Sequence, residues 1–268
     1  MYLTKFGYMD PASTNPNSGA LLSVESVQKS IMEFQAFAGL NQTGQLDDAT
    51  IQMMNKPQCG VKDEVGYGSE ARKKRYALEE KKWSSTYLTY RITKYPTALY
   101  KADVDREIAS AFKVWEDATN LKFTAVNGGH ATIKIRFEKG EHGHGDPFDG
   151  PGGTLAHAYP PAGGGDIHFD DAEEWTIDSH DGTNLFRVAV HEIGHSLGLS
   201  HSTVPSAIMF KYYQKYQRNF KLDQDDVSGI QALYGKKSTG STQQCSTLWC
   251  LINSLQLNGW QNQFIIVD

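Results

Sequence analysis

The feature that most constrains this chain is the run HEIGHSLGLSH at residues 191–201, which satisfies the pattern HExxHxxGxxH at every fixed position. On a helix His191 and His195 lie one turn apart on the same face, so two imidazoles converge on one ion with Glu192 beside them. Gly198 lets the chain leave that helix through a left-handed conformation, which brings His201 back as a third ligand. Three protein ligands on zinc leave one position open, where the pKa of a water falls toward ~7 and the water becomes a nucleophile. Glu192 is the candidate general base, taking that proton and passing it to a leaving amine. Histidines merely displayed on a helix surface require neither Gly198 nor His201. Downstream, Met209 stands eight residues after His201 and is the candidate for an apolar turn beneath the metal.

The remaining residues must supply a core, and 39% hydrophobic content over 268 residues suffices for one or two compact domains. A net charge of −5, with no long run of like charge, argues against nucleic acid or a membrane surface as partner. No stretch approaches the ~18 to 20 apolar residues of a membrane span, and MYLTKFGYMD lacks the apolar centre of a signal peptide, so any export address is expected outside this sequence. Three cysteines, Cys59, Cys245 and Cys250, leave at least one thiol outside an internal disulfide.

Apolar residues at Val24, Val27, Ile31, Phe34 and Ala38 step by three and four and predict a helix ended by Gly39; Asp47 caps a second short helix that Pro57 ends. Residues 1–56 therefore read as a small helical unit. Residues 60–77 are polar and contain RKKR at 72–75, the composition of an exposed linker. Strands are expected at 87–92 and 132–138, with a helix between them carrying Val104, Ile108, Ala111 and Trp115 on one face. Residues 140–166 are dense in Gly, Pro, Asp and His, suited to loops that wrap ions, and two more helices are expected at 185–199 and 223–234. From Lys236 the composition shifts and loses any clear period.

These residues resemble the metzincins and, within them, the matrix metalloproteinases, over roughly residues 1–235. The resemblance rests on the opening YLTKFGYM, FQAFAGLNQTGQLDDAT, PQCGVKD, HGDPFDGPGGTLAHAY, the zinc helix and LDQDDVSGIQALYG. It implies an α+β fold: a small helical prodomain over residues 1–75, then a catalytic domain over 76–235 with a twisted, mixed five-stranded sheet and three helices. Residues 236–268 form a polar linker and an unassigned tail. No propeller domain of the kind many relatives carry follows Tyr234 in this sequence, so native triple-helical collagen is not an expected substrate.

His144, Asp146, His157 and His168 offer three imidazoles and a carboxylate that close a tetrahedral site with no open position, and the resemblance makes it a structural zinc. Asp149, the turn carbonyls of Gly150, Gly152 and Thr154, and the carboxylates of Asp170 and Glu173 are hard oxygen ligands suited to calcium. The resemblance implies a second calcium at Gly163, Gly165 and Asp166, but the family's strand aspartate is Thr132 here, which weakens that site. His130, His142 and His180 read as surface residues. The cofactors expected are thus two zinc ions and one or more calcium ions.

Cys59 in PQCGVKD resembles the family's cysteine switch, in which a thiolate takes the open zinc position; zinc coordination itself drives the deprotonation. RKKR fits a proprotein convertase site, and cleavage after Arg75 would free a chain beginning at Tyr76. Three departures stand out. Gln58 replaces the switch arginine and Lys62 replaces a common proline, so the loop is expected to lose its internal ion pair with Asp63 and to hold latency less tightly. Lys211 stands where a proline usually lines the substrate pocket, with Tyr213 retained. The expected activity is that of a secreted metalloendopeptidase on extended protein or peptide substrates, with protein inhibitors of metalloproteinases as further partners. A binding protein without turnover is disfavoured by Glu192, and an astacin-like metzincin by the switch.

Overall fold

The computed structural model of the protein describes residues 2–9, 23–63, 82–143 and 145–238, and everything up to Lys237 forms one compact unit. The expected cleavage site, Arg75 and Tyr76, and Cys245 and Cys250 lie outside the described residues, as does His144. The N-terminal part holds α1 (Tyr2–Lys5), α2 (Val24–Phe37) and α3 (Asp48–Met54). Both longer helices start at a side-chain cap: Ser23 Oγ accepts from the amide of Ser26 at 3.1 Å, and Asp47, the cap expected from the sequence, accepts at Oδ1 from that of Thr50 at 2.9 Å. The apolar stripe of α2 buries Ile31 and Phe34 against Leu3, Phe6, Tyr8 and Met9. Tyr212 joins this small core from the distant C-terminal half, so the two parts of the chain share apolar packing.

The larger part contains β2 (Tyr87–Lys94), α4 (Lys101–Ala118), β3 (Lys122–Ala125), β4 (Ile133–Glu138), β5 (Thr154–Ala158), β6 (Ile167–Asp170), α5 (Leu185–Ser196) and α6 (Gln224–Tyr234). A two-stranded pair, β7 (Trp175–Thr176) and β8 (Thr183–Asn184), leads into α5. The fold is a mixed α/β arrangement with the three expected helices in this part. This part supplies the five expected strands, and its sheet becomes six-stranded, in the order β1-β5-β6-β4-β2-β3, because β1 (Gln58–Cys59) of the N-terminal part adds itself in parallel to β5. β5 runs antiparallel to β6, and the remaining pairings are parallel. A strand edge left unpaired invites such addition, since its N–H and C=O groups otherwise lack partners.

Alternation in β4 sends Ile133, Ile135 and Phe137 into a core shared with Val104, Ile108 and Trp115 of α4. The Trp115 indole also donates to the Val190 carbonyl at 2.9 Å, which fixes α4 against α5 just before the first histidine of the motif.

Candidate active site and metal centres

Helix α5 starts where Asn184 Oδ1 accepts from the amide of Arg187, and His191 and His195 follow on its buried face. Gly198 ends the turn with φ 101°, in the left-handed region that the sequence requires, and the chain returns with His201. Ligand atoms of His191, His195, His201 and Cys59 all lie within 4.8 Å of one another, and all four residues are buried. His191 Nδ1 is 2.7 Å from the Ile208 carbonyl and His195 Nδ1 is 2.7 Å from the Leu199 carbonyl. A carbonyl only accepts, so each Nδ1 carries the proton and each Nε2 presents a lone pair. Those two Nε2 atoms face each other at 3.1 Å. Burial pushes His191 down to about 3 and His195 well below the imidazole range, so no proton settles between them. Two buried lone pairs at that separation repel unless a cation holds both, and the donor set therefore fits a zinc ion.

Glu192 is fully buried, its oxygens meet no donor in hydrogen-bond geometry, and the polar group bearing on it is the Cys59 thiol. Burial pushes its carboxyl up to about 8. Burial and then the Glu192 carboxylate push the Cys59 thiol well above its ordinary range, so this thiol ionises only against a cation.

Beneath the cluster, Met209 packs where Gly194 leaves room for no Cβ, beside the Trp115 ring. Its turn is held by Asp226, which accepts from the amides of Ile208 at 2.8 Å and Met209 at 3.1 Å. The same Ile208 offers its carbonyl to His191, so Asp226 supports a candidate ligand at one remove. Sequence reading passed over Asp226; its only signal was its place in the first turn of a capped helix.

The segment around Cys59 fills the cleft as a strand. Gln58 N donates to the Gly153 carbonyl and Gly60 N to the Ala156 carbonyl, both at 2.8 Å. On the other side Cys59 N donates to the Lys211 carbonyl at 3.0 Å and Tyr213 N to the Pro57 carbonyl at 2.9 Å. Gly60 is required by proximity: a Cβ there would stand 2.7 Å from Thr154 Cγ2. Next to this strand opens a small cavity bounded by Leu155, Val188, His191 and Tyr213, with buried Arg187 also in its wall and donating to Gln214 Oε1 at 2.8 Å. Arg187, absent from the sequence argument, lies one turn before His191 and was legible only as another residue of the helix.

Gln58 supplies no cation to Asp63 within the loop, yet Asp63 is not left unpaired. Gln58 is buried, accepting from the Tyr2 hydroxyl at 2.7 Å, while Lys211 Nζ lies 2.6 Å from Asp63 Oδ2. The cation missing from the switch segment arrives from the cleft wall, 148 residues away in sequence. The other oxygen of Asp63 accepts from His201 Nδ1 at 2.8 Å. Burial raises the Asp63 carboxyl, but Lys211 and His201 outweigh it and the net displacement is downward.

The second histidine cluster also differs from expectation. Among the described residues it joins His157 and His168 to His142, with His142 Nε2 at 3.3 Å from His157 Nε2 and the latter 3.0 Å from His168 Nδ1. His142 is therefore not a surface residue without partners, as His130 and His180 remain exposed; it stacks on Phe148 and His157. Asp146 is exposed and outside the cluster. Phe148, buried and stacked on the rings of His142 and His157, holds this loop against the cluster. Three converging imidazoles again suit zinc.

Around residues 149–154, the Gly150 amide donates to Asp170 Oδ2 at 3.2 Å and the Gly152 amide to Glu173 Oε1 at 2.7 Å, while Asp149 Oδ1 accepts from Thr154 N. Burial, with help from neighbouring acids, raises Asp170 and lifts Glu173 to about 7. Three carboxylates around one glycine loop face a single ammonium, Lys5 Nζ at 3.6 Å from Asp149 Oδ2, and this excess of negative charge fits calcium. The Gly163, Gly165 and Asp166 set does not fit a second one. Asp166 already has the Lys134 ammonium 3.7 Å away, and the hydroxyl of Thr132 pairs with that of Thr89 at 3.2 Å.

Comparison with known proteins places this geometry. Residues 1–54 match the family model of a peptidoglycan-binding domain. Human matrix metalloproteinase-20 is 48% identical over 215 residues, 79% of this chain and 43% of that protein. Matrix metalloproteinase-16 of mouse and of rat is 45% identical over 249 residues, 88% of this chain and 41% of each relative. The chain thus spans less than half the length of these relatives. The matrixin family model matches residues 82–235, more than half of the chain and the stretch that holds both histidine clusters, and on that match the chain belongs to the matrixin family.

Proposed function

We propose that the protein is the latent form of a zinc-dependent endopeptidase, hydrolysing peptide bonds of extracellular matrix or other secreted proteins once residues 1–75 are removed. The observation that carries this is the pair of Nε2 lone pairs of His191 and His195 at 3.1 Å, closed over by His201 and Cys59 and flanked by buried Glu192. His191, His195 and His201 would hold the ion, with Cys59 as fourth ligand in the latent state. Zinc, when bound, supplies Lewis acidity to a peptide carbonyl and acidifies water.

The chain's own groups do the rest. The cleft edge formed by β5 and residues 211–213, which now binds residues 57–60 through backbone hydrogen bonds, would accept an extended substrate by the same atoms. Glu192, held in a dry site, takes a proton from the attacking water and delivers it to the leaving nitrogen. His142, His157 and His168 would hold a structural zinc, and Asp149, Asp170 and Glu173 a calcium, fixing the loop that ends in β5.

Domains follow the same reading: residues 1–75 are the removable segment, 76–235 the catalytic part and 236–268 a separate tail. A convertase acting after Arg75 would release it along a secretory route, and protein inhibitors of metalloproteinases would compete for the cleft. No helix among the described residues is long and apolar enough to cross a membrane. The test is Glu192→Ala in the activated full chain, assayed with a fluorogenic peptide and by elemental analysis. The expected result is unchanged zinc content with kcat lower by ~10²-fold or more. Near-normal turnover in this variant refutes the assignment.

A further inference from the structure

Lys211 is fully buried, yet its ammonium is served only by the segment that activation would remove. Among the described residues, its contacts are Asp63 Oδ2 at 2.6 Å and the ring of Phe6 at 3.7 Å, with the rings of Tyr2 and Tyr8 beyond 5 Å, at 5.3 and 5.6 Å. All four residues precede the expected cleavage site. The backbone of Lys211, by contrast, belongs to the cleft, where its carbonyl accepts from Cys59 N. A buried cation that loses its carboxylate and its aromatic faces together is left desolvated in part and unpaired, a costly state that any acceptor of opposite charge relieves. The Asp63 carboxylate also bonds His201 Nδ1, so the vacated place offers two donors at the spacing of the two oxygens of one carboxylate.

We propose that Lys211 is a specificity-determining residue of the activated cleft: it recognises an acidic side chain of the substrate, in the place that Asp63 fills in the latent chain. The inference rests on the reading of the cleft as a peptide-binding site. The latent chain supplies the template, since a backbone held as a strand at Cys59 reaches Lys211 with a carboxylate at residue 63. A substrate bound along the same edge reaches it with an aspartate or glutamate about as far from the scissile bond as Asp63 is from Cys59. Latency and selectivity then use one cation, and replacing the usual arginine by Gln58 costs no ion pair because the charge sits in the wall.

The experiment uses the full chain, activated by limited proteolysis near residue 75, and pairs of peptides that differ only by Asp against Asn or Glu against Gln at each position around the cleaved bond. At one position, the acidic member is expected to be preferred about five- to tenfold in kcat/KM at low salt, the preference shrinking as salt is added. Lys211→Met should bring that ratio to about one and Lys211→Arg should retain most of it, which separates loss of charge from a folding defect. In parallel, the same peptides are titrated against activated chain carrying Glu192→Ala, where binding is read by fluorescence anisotropy without turnover. If neither peptide of any pair is cleaved by the chain with Glu192 intact, the endopeptidase assignment fails, while the anisotropy comparison still decides the role of Lys211. Equal affinity for acid and amide at every position, or a preference that survives Lys211→Met, overturns the proposal.

Discussion

Replacing Asp226 by asparagine separates a buried charge from the hydrogen bonds it makes. The carboxylate is in a residue only 2% exposed and accepts from the amides of Ile208, Met209 and Asp223 at 2.8, 3.1 and 3.1 Å. Burial nevertheless pushes its carboxyl from 3.8 up to about 6, against the pull of those three bonds and with Asp225 adding to the rise. Below the unfolded value the group is neutral in both states, and the stability associated with it is fully present. As pH rises through the folded value, the folded chain must ionise a group that the unfolded chain has already ionised, and that stability is lost. A displacement of about two units corresponds to about 3 kcal/mol at 1.36 kcal/mol per unit. Asparagine keeps the shape and an accepting oxygen but never ionises. Its NH2 group replaces one accepting oxygen and orphans at least one of the three amides, so the Asp226→Asn chain should be less stable than the unmodified chain by ~1–3 kcal/mol near pH 4 and should regain about 3 kcal/mol relative to it by pH 7.5. Asp226→Ala should show the same relative recovery with pH from a larger loss near pH 4, since it leaves all three buried amides unsatisfied at ~1–3 kcal/mol each. Urea unfolding of the latent chain, followed by tryptophan fluorescence at the two pH values, measures all three. If the stability difference between the asparagine and unmodified chains is the same at both pH values, the burial argument is wrong.

Two further substitutions probe the metal centres and the switch. His142→Ala should remove one zinc equivalent from the purified latent chain, whereas His130→Ala, at an exposed position, should remove none; equal zinc content in both by elemental analysis would exclude His142 as a ligand. Gly60→Ala should lift the strand at Cys59 off β5, because the added Cβ would meet Thr154 Cγ2 at 2.7 Å and the Ala156 carbonyl at 3.2 Å. The expected outcome is faster alkylation of Cys59 and a raised basal rate before proteolysis, by about tenfold for the loss of ~1–2 kcal/mol of overpacking; an unchanged alkylation rate would show that the strand has room to spare.

The contrast between the two histidine clusters shows what a sequence settles alone. His191, His195 and Gly198 were legible because a helix repeats every 3.6 residues and a left-handed exit demands glycine; both rules act within one turn of chain. The cap at Asp47 and the alternation of Ile133, Ile135 and Phe137 follow from equally local geometry. The loop before β5 has no such repeat. That His142 meets His157 and His168 depends on the burial of Phe148 beneath its ring and on the register that pairs those two residues across β5 and β6. The identity of the cation at Asp63 was still less accessible, since Gln58 announced a missing charge and nothing in the chain's local pattern linked Asp63 to Lys211. Sequence thus determined the ligand-bearing helix, its exit, the base and the presence of a thiol able to block the site, all fixed by short-range backbone geometry. Only the tertiary structure decided the sixth strand, the choice of His142, the support from Asp226 and the buried Lys211–Asp63 pair, because each arises where segments far apart in the chain pack together and burial, not spacing, selects the partners.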